Sequence, residues 1–236
     1  MKFKSQISNS TPVIILAGGF GTRLSTVVKD VPKPMALIND KPFLHYIFKA
    51  LQQQNIENVI LSVGYKHEII QDYFKDNYLG ISIKYAIETE PLGTGGAIKH
   101  AFSFVDDDAF VLNGDTFFDV YLSKLKNDKS DLFIALKPMK NFDRYGTVEL
   151  NTAKRIISFN EKKHCKSGLI NGGVYYLRKS LFDKIHAPTK FSFEKDILEK
   201  HVLDLHFDGI IFDSYFIDIG IPEDYEKAQK DLKKNV

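Results

Sequence analysis

Short runs of consecutive apolar residues alternate with amphipathic segments along the first half of the chain. Such runs are typical of strands buried on both faces of a parallel sheet. Apolar positions three and four residues apart, as at Phe43, Ile47 and Leu51, instead predict helices. The pattern predicts strands at residues 13–17, 59–63, 81–87 and 110–112. In the strand at 81–87, apolar residues alternate with small or polar ones, which places Ile87 on its inner face. Helices are predicted after Pro42, over residues 67–76 with Ile69, Ile70, Tyr73 and Phe74 inward, and through Ile98 to Phe102.

The second half of the chain is richer in strand patterns. We predict strands at residues 132–136, 147–150, 156–159, 174–177, 210–212 and 216–217, and helices at 181–185, 193–201 and from Pro222 onward. The alternation of strands and helices in the first half predicts an α/β fold with a doubly wound, mostly parallel but mixed sheet. We expect one domain over residues 1–236, with a first half at about 12–118, a β-rich lobe at about 119–222 and a final helix at 223–236.

The turn after the first predicted strand is rich in glycine. It reads Leu16-Ala17-Gly18-Gly19-Phe20-Gly21-Thr22-Arg23, and Lys33 follows within Pro32-Lys33-Pro34. Glycine lets the backbone approach a ligand closely, and N–H groups before a helix can hold phosphate beside such cations. The turn lacks the Gly-Lys-Ser/Thr of an ATPase P-loop. It also lacks the third glycine of a dinucleotide fingerprint, because Leu24 stands at that position. A turn that only connects two elements is the alternative.

Polar and glycine-rich segments also follow three further strands. These segments are Gly64-Tyr65, Glu88 to Gly96, and Asn113-Gly114-Asp115. Because ligands bind beyond the carboxyl ends of the strands in such sheets, we expect one shared site. Asp115 and Asp218 are candidate Mg²⁺ ligands, since Mg²⁺ prefers carboxylate and phosphate oxygens and Asp218 has apolar neighbours that leave a buried carboxylate in need of a partner. An Asx turn or a helix cap would explain either aspartate alone.

The segment Glu88-Thr89-Glu90-Pro91-Leu92-Gly93-Thr94-Gly95-Gly96 is a candidate surface for a nucleobase. A glutamate there can accept two hydrogen bonds from the N1–H and amino group of guanine. Uracil and thymine offer one donor on that edge. A glutamate exposed to solvent is the alternative interpretation.

Three polar segments of the second half are candidates for binding a sugar phosphate. They are Tyr145-Gly146, Glu161-Lys162 and Asn171-Gly172-Gly173. A carboxylate and an amide can bind sugar hydroxyls, and a lysine can hold a phosphate. Lys162 and Lys163 also fit a solvated run of charge.

Composition narrows the choice of partners and compartment. The chain has 236 residues and a net charge of +2, so no basic excess points to nucleic acid. The single cysteine, Cys165, forms no internal disulfide and fits a reducing cytoplasm. The apolar run after the first twelve residues is too short for a signal peptide or membrane span. We expect a cytoplasmic protein with no nucleic-acid or membrane partner, and leave a homo-oligomer open.

Taken in order, these segments resemble the sugar-1-phosphate nucleotidyltransferases from Val13 to the final helix. The likeness covers the glycine turn with Arg23, Pro32-Lys33-Pro34, Glu90 to Gly96, Asn113-Gly114-Asp115, Glu161-Lys162, Asn171-Gly172-Gly173 and Asp218-Ile219-Gly220-Ile221-Pro222. Residues 27–35 and 62–68 look most like the D-glycero-D-manno-heptose 1-phosphate guanylyltransferases. The resemblance implies a Rossmann-like nucleotidyltransferase fold, Mg²⁺ as cofactor, and conversion of GTP (or another NTP) and a sugar 1-phosphate to an NDP-sugar and pyrophosphate.

The resemblance also implies roles for single residues. The nucleotide would be bound by Leu16, Ala17, Gly18, Gly19, Gly21, Thr22, Glu88, Pro91, Gly93, Thr94, Gly95 and Gly114. Arg23 would stabilise charge on the leaving pyrophosphate, and Lys33 would contact the α-phosphate or the sugar phosphate. Asp115 and Asp218 would hold Mg²⁺. The sugar phosphate would be bound by Tyr145, Gly146, Glu161, Lys162, Asn171 and Gly172.

Several alternatives stay open. Lys163, Phe216 and Ile221 stand where the family often has proline, tryptophan and threonine, which leaves the sugar uncertain. Mannose 1-phosphate with GTP, or glucose 1-phosphate with dTTP or UTP, are the other substrate pairs. A non-catalytic nucleotide-sugar sensor or regulatory subunit, and a glycosyltransferase using Asp106 to Asp108, are the other classes. The chain ends soon after Asp218, so we expect an enzyme of one activity.

Overall fold

A computed structural model of the protein describes residues 11–19, 31–126, 129–160 and 162–235. Its strands are β1 (Val13–Leu16), β2 (Leu37–Ile38), β3 (Lys41–Pro42), β4 (Asn58–Val63), β5 (Asn77–Tyr78), β6 (Ile81–Ile87), β7 (Ala109–Asn113), β8 (Thr116–Phe118), β9 (Leu132–Phe142), β10 (Thr147–Leu150), β11 (Ile156–Asn160), β12 (Cys165–Leu177), β13 (Phe207–Ile211) and β14 (Phe216–Asp218). Its α-helices are α1 (Phe43–Gln53), α2 (His67–Phe74), α3 (Gly93–Ala101) and α4 (Pro222–Asn235). Short 3₁₀ helices cover Lys33–Met35, Phe102–Phe104, Leu122–Lys124 and Lys179–Asp183, and a π-helix covers Glu194–Glu199.

Ten strands form one mixed sheet whose parallel part has the order β6-β4-β1-β7. Successive strands are added on one side of β1 up to β6, and the chain then crosses to the other side with β7. A crevice opens beyond the carboxyl ends of β1 and β7, where this order reverses, and ligands of such sheets bind there. The predicted doubly wound, mostly parallel mixed sheet is confirmed.

The second half of the chain extends the same sheet through antiparallel pairings and one parallel pairing, between β13 and β9. The last part of β12 pairs with β7, and β9 runs along the whole of β12 with β13 beyond it. The first part of β12 also pairs with β10, which in turn pairs with β11. The predicted β-rich lobe is therefore continuous with the first half of the chain through β12.

Apolar side chains cover both faces of the sheet. In β1, Val13 and Ile15 point to the layer that contains α1, α2 and α4, while Ile14 points to the layer that contains α3 and the segment around Phe193. A strand buried on both faces is apolar throughout, which explains the unbroken run that the sequence shows. No helix in the described part of the chain combines the length and apolar character needed to cross a bilayer.

A separate two-stranded ribbon joins residues that are far apart in the chain. β8 pairs with β14 in antiparallel register, with Thr116 opposite Asp218. The sequence pattern predicts β14 but not β8, because Thr116 to Phe118 lie directly after the strand-end turn. The ribbon brings Asp115 and Asp218 next to each other at its end.

Several predicted details are wrong. Tyr73 is 37% exposed rather than inward, although its ring contacts the rings of Phe74 and Tyr78. Ile87 is also 37% exposed while Ala86 is fully buried, because the layer that contains α3 covers Ala86 and Ile87 faces the crevice.

The segments with long-range pairing or unusual helices also differ from the prediction. β12 begins at Cys165 rather than at residue 174, since its polar and glycine-rich first part pairs with β9 and β10. The segment predicted as a helix at 181–185 is a 3₁₀ helix at Lys179–Asp183. The helix predicted at 193–201 is present, with its centre in π-helical form.

Candidate functional site

The turns after β1, β4, β6 and β7 surround an open cavity of about 840 Å³. Close backbone contacts hold these turns together. Gly114 N donates to Leu16 O at 2.9 Å, and Ala17 N donates to Ser62 O at 2.7 Å. A Cβ atom on Gly114 would lie 2.6 Å from Leu16 O, so this contact requires glycine.

Most of the predicted nucleotide-binding residues in the described part of the chain line this cavity. Those that line it are Leu16, Ala17, Gly18, Gly19, Glu88, Pro91, Gly93 and Thr94, together with Lys33 and Asp115. Gly95 and Gly114 lie behind the wall, where they allow close packing. Gly21, Thr22, Arg23 and Glu161 lie outside the described residues, so their predicted roles stay predictions.

Lys33 lies between the two predicted metal ligands. It begins the 3₁₀ helix Lys33–Met35, and its side chain is only 11% exposed. The Nζ atom is 2.7 Å from Asp115 Oδ2 and 3.7 Å from Asp218 Oδ1. The structure thus brings together three of the residues that the resemblance singles out.

The β8–β14 ribbon positions the two aspartates. Ile219 N donates to the backbone oxygen of Asp115 at 3.1 Å, and Thr116 Oγ1 donates to Asp115 Oδ1 at 3.2 Å. Tyr145 OH donates to Asp218 Oδ2 at 3.3 Å, and the guanidinium of Arg144 lies over the ring of Tyr145. Arg144 in turn pairs with Asp224 in the first turn of α4.

One oxygen of the Asp218 carboxylate is unsatisfied. Its Oδ1 atom is buried and accepts no hydrogen bond from the described residues. Burial first, and then the negative charge of Asp115, raise the pKa of Asp218 above its usual range, although Lys33, the backbone N–H of Gly220 and Arg144 each oppose this rise. A buried carboxylate oxygen with no donor, next to a second carboxylate, suits a hard cation such as Mg²⁺. No third Asp, Glu, His or Cys joins this pair within the described ranges.

Glu88 is held at the opposite side of the cavity. Ser62 Oγ donates to Oε1 at 3.3 Å, and Leu92 N donates to Oε2 at 3.1 Å. A Cβ atom on Gly18 would lie 2.7 Å from Glu88 Oε1, so the glycine turn makes room for this carboxylate. Each oxygen keeps a second lone pair for a ligand.

The first turn of α3 is fastened to the segment before the π-helix. Gly95 N donates to Phe191 O at 3.0 Å, and Phe191 N donates to Leu92 O at 3.0 Å. A Cβ atom on Gly95 would lie 2.2 Å from the Phe191 ring, and Gly93 has φ +72°. The glycines of this segment therefore serve packing and turn geometry, and Gly93 and Thr94 also line the cavity.

The sequence analysis missed Glu194. Its carboxylate lines the cavity and accepts hydrogen bonds from Thr94 Oγ1 at 2.7 Å and Ser192 Oγ at 3.1 Å. No local pattern marks it, because it reaches the cavity only through the pairing of Phe191 with α3. Tyr65 and Asn113, from two of the segments expected at the shared site, line the cavity without having been given a role, and His67 lines it from the first turn of α2.

The predicted sugar-phosphate residues are more scattered. Tyr145 lies beside Asp218, and Gly146 is half-buried next to it. Asn171 uses its amide internally, since Oδ1 accepts from Gly173 N at 2.9 Å and Nδ2 donates to Tyr175 OH at 2.8 Å. Gly172 packs on the ring of Phe118, and Lys162 is exposed.

The family model for nucleotidyl transferases matches residues 12–235 of the chain. The chain belongs to the nucleotidyl transferase family. It is therefore an enzyme of the nucleotidyltransferase class, and the resemblance seen in the sequence is confirmed.

Named relatives of this nucleotidyl transferase are similar over nearly their whole length. It is 58% identical to the D-glycero-alpha-D-manno-heptose 1-phosphate guanylyltransferase of Campylobacter jejuni, over 90% of this chain and 96% of that protein. It is 56% identical to the enzyme of the same name from Aneurinibacillus thermoaerophilus, over 93% and 97%. The crystal structure of HddC from Yersinia pseudotuberculosis complexed with GMP-PN superposes with a TM-score of 0.85 at 40% identity, covering 94% of this chain and 99% of that one.

Proposed function

We propose that this nucleotidyl transferase converts GTP and D-glycero-α-D-manno-heptose 1-phosphate to GDP-heptose and pyrophosphate. The observation that carries the chemistry is Lys33 held between Asp115 and Asp218 at one side of a cavity with a fixed Glu88 on the other. The choice of substrates is supported by the names of the two relatives at 58% and 56% identity.

The attacking group of this reaction needs no general base. An oxygen of the sugar phosphate, already an anion, bonds to the α-phosphorus of GTP, and the bond to the β-phosphate oxygen breaks as pyrophosphate leaves with the electron pair. The barrier comes from bringing two anions together in line, so cations and alignment supply the catalysis. Lys33 is the described cation at the cavity that fits this role, with Arg23 proposed for the charge on pyrophosphate.

Mg²⁺ is the cofactor we propose for Asp115 and Asp218. The Oδ1 atom of Asp218, which accepts no hydrogen bond among the described residues, and the carboxylate of Asp115 fit the oxygen ligands that this ion prefers. When bound, Mg²⁺ would supply charge neutralisation at phosphate oxygens. Tyr145 keeps the other oxygen of Asp218 in place through its hydroxyl.

Glu88 is the residue we propose for recognition of guanine. Its two oxygens each have one protein donor, so both can accept a further hydrogen bond from N1–H and the 2-amino group. Adenine, uracil and cytosine cannot offer this pair of donors on one edge. The carboxylate therefore favours GTP among the nucleoside triphosphates.

The sugar phosphate is proposed to bind on the side of Tyr145, Gly146, Lys162, Asn171 and Gly172, with Glu161. Asn171 acts here through the backbone that it holds, because its amide oxygen fixes Gly173 N and its amide nitrogen fixes Tyr175. Tyr145 connects this side to the metal-binding residue Asp218.

A substrate panel scored by pyrophosphate release tests the proposal. GTP, ITP, UTP and dTTP are each combined with heptose, mannose and glucose 1-phosphates, and product is identified by mass. We expect GTP with the manno-configured heptose to give the highest kcat/KM. Higher turnover with a pyrimidine nucleotide, or with glucose 1-phosphate, would rule out the proposed specificity.

A further inference from the structure

The Lys33 ammonium occupies a tight space between two carboxylates. Its distances to Asp115 Oδ2 and Asp218 Oδ1 are 2.7 and 3.7 Å, and little of the side chain is exposed. A Cβ atom on Gly220 would lie 2.9 Å from Asp218 Oδ1 and 3.3 Å from Lys33 Nζ. Gly220 thus closes the space around the ammonium without filling it.

The same two carboxylates are the proposed Mg²⁺ ligands, and the ammonium lies too close to both for a divalent ion to join it. The Lys33 ammonium and a divalent ion bound to the same two carboxylates would repel each other strongly, because little water is present to screen them. Lys33 also lines the nucleotide cavity, which gives its side chain a second place to go. That second place is where the triphosphate would lie.

We infer that Lys33 is the resident counter-ion of Asp115 and Asp218, and that the metal ion displaces its ammonium into the nucleotide cavity. This inference rests on the metal role of the proposed function. Without metal, the Lys33 ammonium pairs with both aspartates and keeps them close together. With metal bound, the same ammonium is released to contact a phosphate, so metal arrival and lysine activation are one event.

Other charged and titratable groups around the pair do not take over this role. Arg144 adds positive charge near Asp218 but pairs with Asp224, and Tyr145 donates only a neutral hydrogen bond. Lys33 is the cation within 4 Å of both carboxylates among the described residues. Removing it should therefore leave the metal ligands with more negative potential.

The test is a titration of the nucleotide-free enzyme with Mn²⁺, followed by the spin-resonance signal of the free ion. We expect Lys33→Met to bind Mn²⁺ roughly ten-fold more tightly than the wild type, although its turnover collapses. Lys33→Arg, which keeps the charge, should not bind more tightly. Lys75→Met is the matched control, because it removes one lysine charge from an exposed pair with Asp72 and should leave the affinity unchanged.

Two outcomes separate this inference from the metal role itself. Equal or weaker Mn²⁺ binding by Lys33→Met would overturn the displacement. Binding that Asp115→Asn and Asp218→Asn leave unchanged would instead overturn the metal site. If Lys33→Met fails to fold, acetylation of wild-type lysines read by mass spectrometry decides, since Mg²⁺ alone should increase labelling of Lys33. Unchanged labelling contradicts the displacement.

Discussion

Two aspartates at opposite ends of the central sheet, Asp131 buried and Asp218 half-buried, have opposite surroundings. Asp131 precedes β9 at the end where β7 begins, and Asp218 ends β14 at the end where β1 and β7 finish. Asp131 Oδ1 is 2.5 Å from Lys184 Nζ, and Oδ2 accepts from His206 N at 3.1 Å. Asp218 has one buried oxygen without a hydrogen bond among the described residues.

The pKa values of the two carboxyl groups differ because the groups around them differ. Burial alone would raise both, but hydrogen bonds from Lys184 and His206 N hold the pKa of Asp131 below its usual range. Asp218, next to Asp115, keeps a raised pKa. A satisfied buried carboxylate joins parts of the fold, whereas an unsatisfied one marks a place where the fold leaves an interaction for a ligand.

The largest effect should come from neutralising the unsatisfied carboxylate. Asp218→Asn should lower turnover about 10³-fold by weakening charge neutralisation in the transition state. The same change should raise the free energy of unfolding by about 1 kcal/mol, because it removes an unfavourable buried charge. Pyrophosphate release and urea unfolding measure the two quantities. A loss of stability would contradict the comparison.

The Glu88 carboxylate is intermediate between those of Asp131 and Asp218 in how far it is satisfied by hydrogen bonds, since each of its oxygens has one protein donor. Glu88→Gln should lower kcat/KM for GTP roughly 30-fold, because an amide nitrogen would face a donor of guanine. ITP, which lacks the 2-amino group, should lose less, and UTP should gain. Steady-state rates with the three nucleotides measure this. Equal losses for GTP and ITP would mean that Glu88 does not read the 2-amino group.

The satisfied carboxylate should respond in stability and not in turnover. Asp131→Asn should lower the free energy of unfolding by about 2 kcal/mol at neutral pH, since charge-assisted hydrogen bonds are lost. The pKa of Asp131 is lower in the folded than in the unfolded protein, so its contribution is complete above the unfolded value and is lost as pH falls through the folded value. The difference between mutant and wild type should therefore vanish in acid. Urea unfolding at several pH values tests this, and a difference that persists at low pH would exclude the ionic cause.

The smallest effect should come from Tyr145→Phe, which removes the hydroxyl that holds Asp218 Oδ2. We expect kcat to fall about five-fold, as for one modest hydrogen bond, while the KM for the sugar phosphate stays the same. A rise in that KM with unchanged kcat would instead place the hydroxyl on the sugar, as the resemblance implies. Initial rates over a range of sugar phosphate concentrations separate the two results.

The sequence predicts the nucleotide half well because local signals there agree. In β1, burial on both faces requires an apolar run. In the following turn, position 18 requires glycine because a Cβ atom there would clash with the Glu88 carboxylate. The rule for doubly wound sheets then places four turns at one edge. Only the reason for Gly18, which leaves room for Glu88, depends on a distant contact.

The remaining features depend on contacts between distant residues. Glu194 reaches the cavity because Phe191 pairs with Leu92 and Gly95. The first part of β12 is polar and rich in glycine, so only its pairing with β9 makes it a strand. The amide of Asn171 looks available in the sequence, yet it fixes Gly173 and Tyr175. Such partners have no local signature.

The pairing of β8 with β14 can form only late in the synthesis of the chain, because the two strands are far apart in the sequence. Asp115 leaves the ribosome within the nucleotide half, but its partner Asp218 is translated roughly a hundred residues later, about 5–20 s at usual rates. Until then the nascent chain lacks the β8–β14 ribbon and one of the two carboxylates that we propose as Mg²⁺ ligands. We therefore expect chains that end before β14 to be inactive.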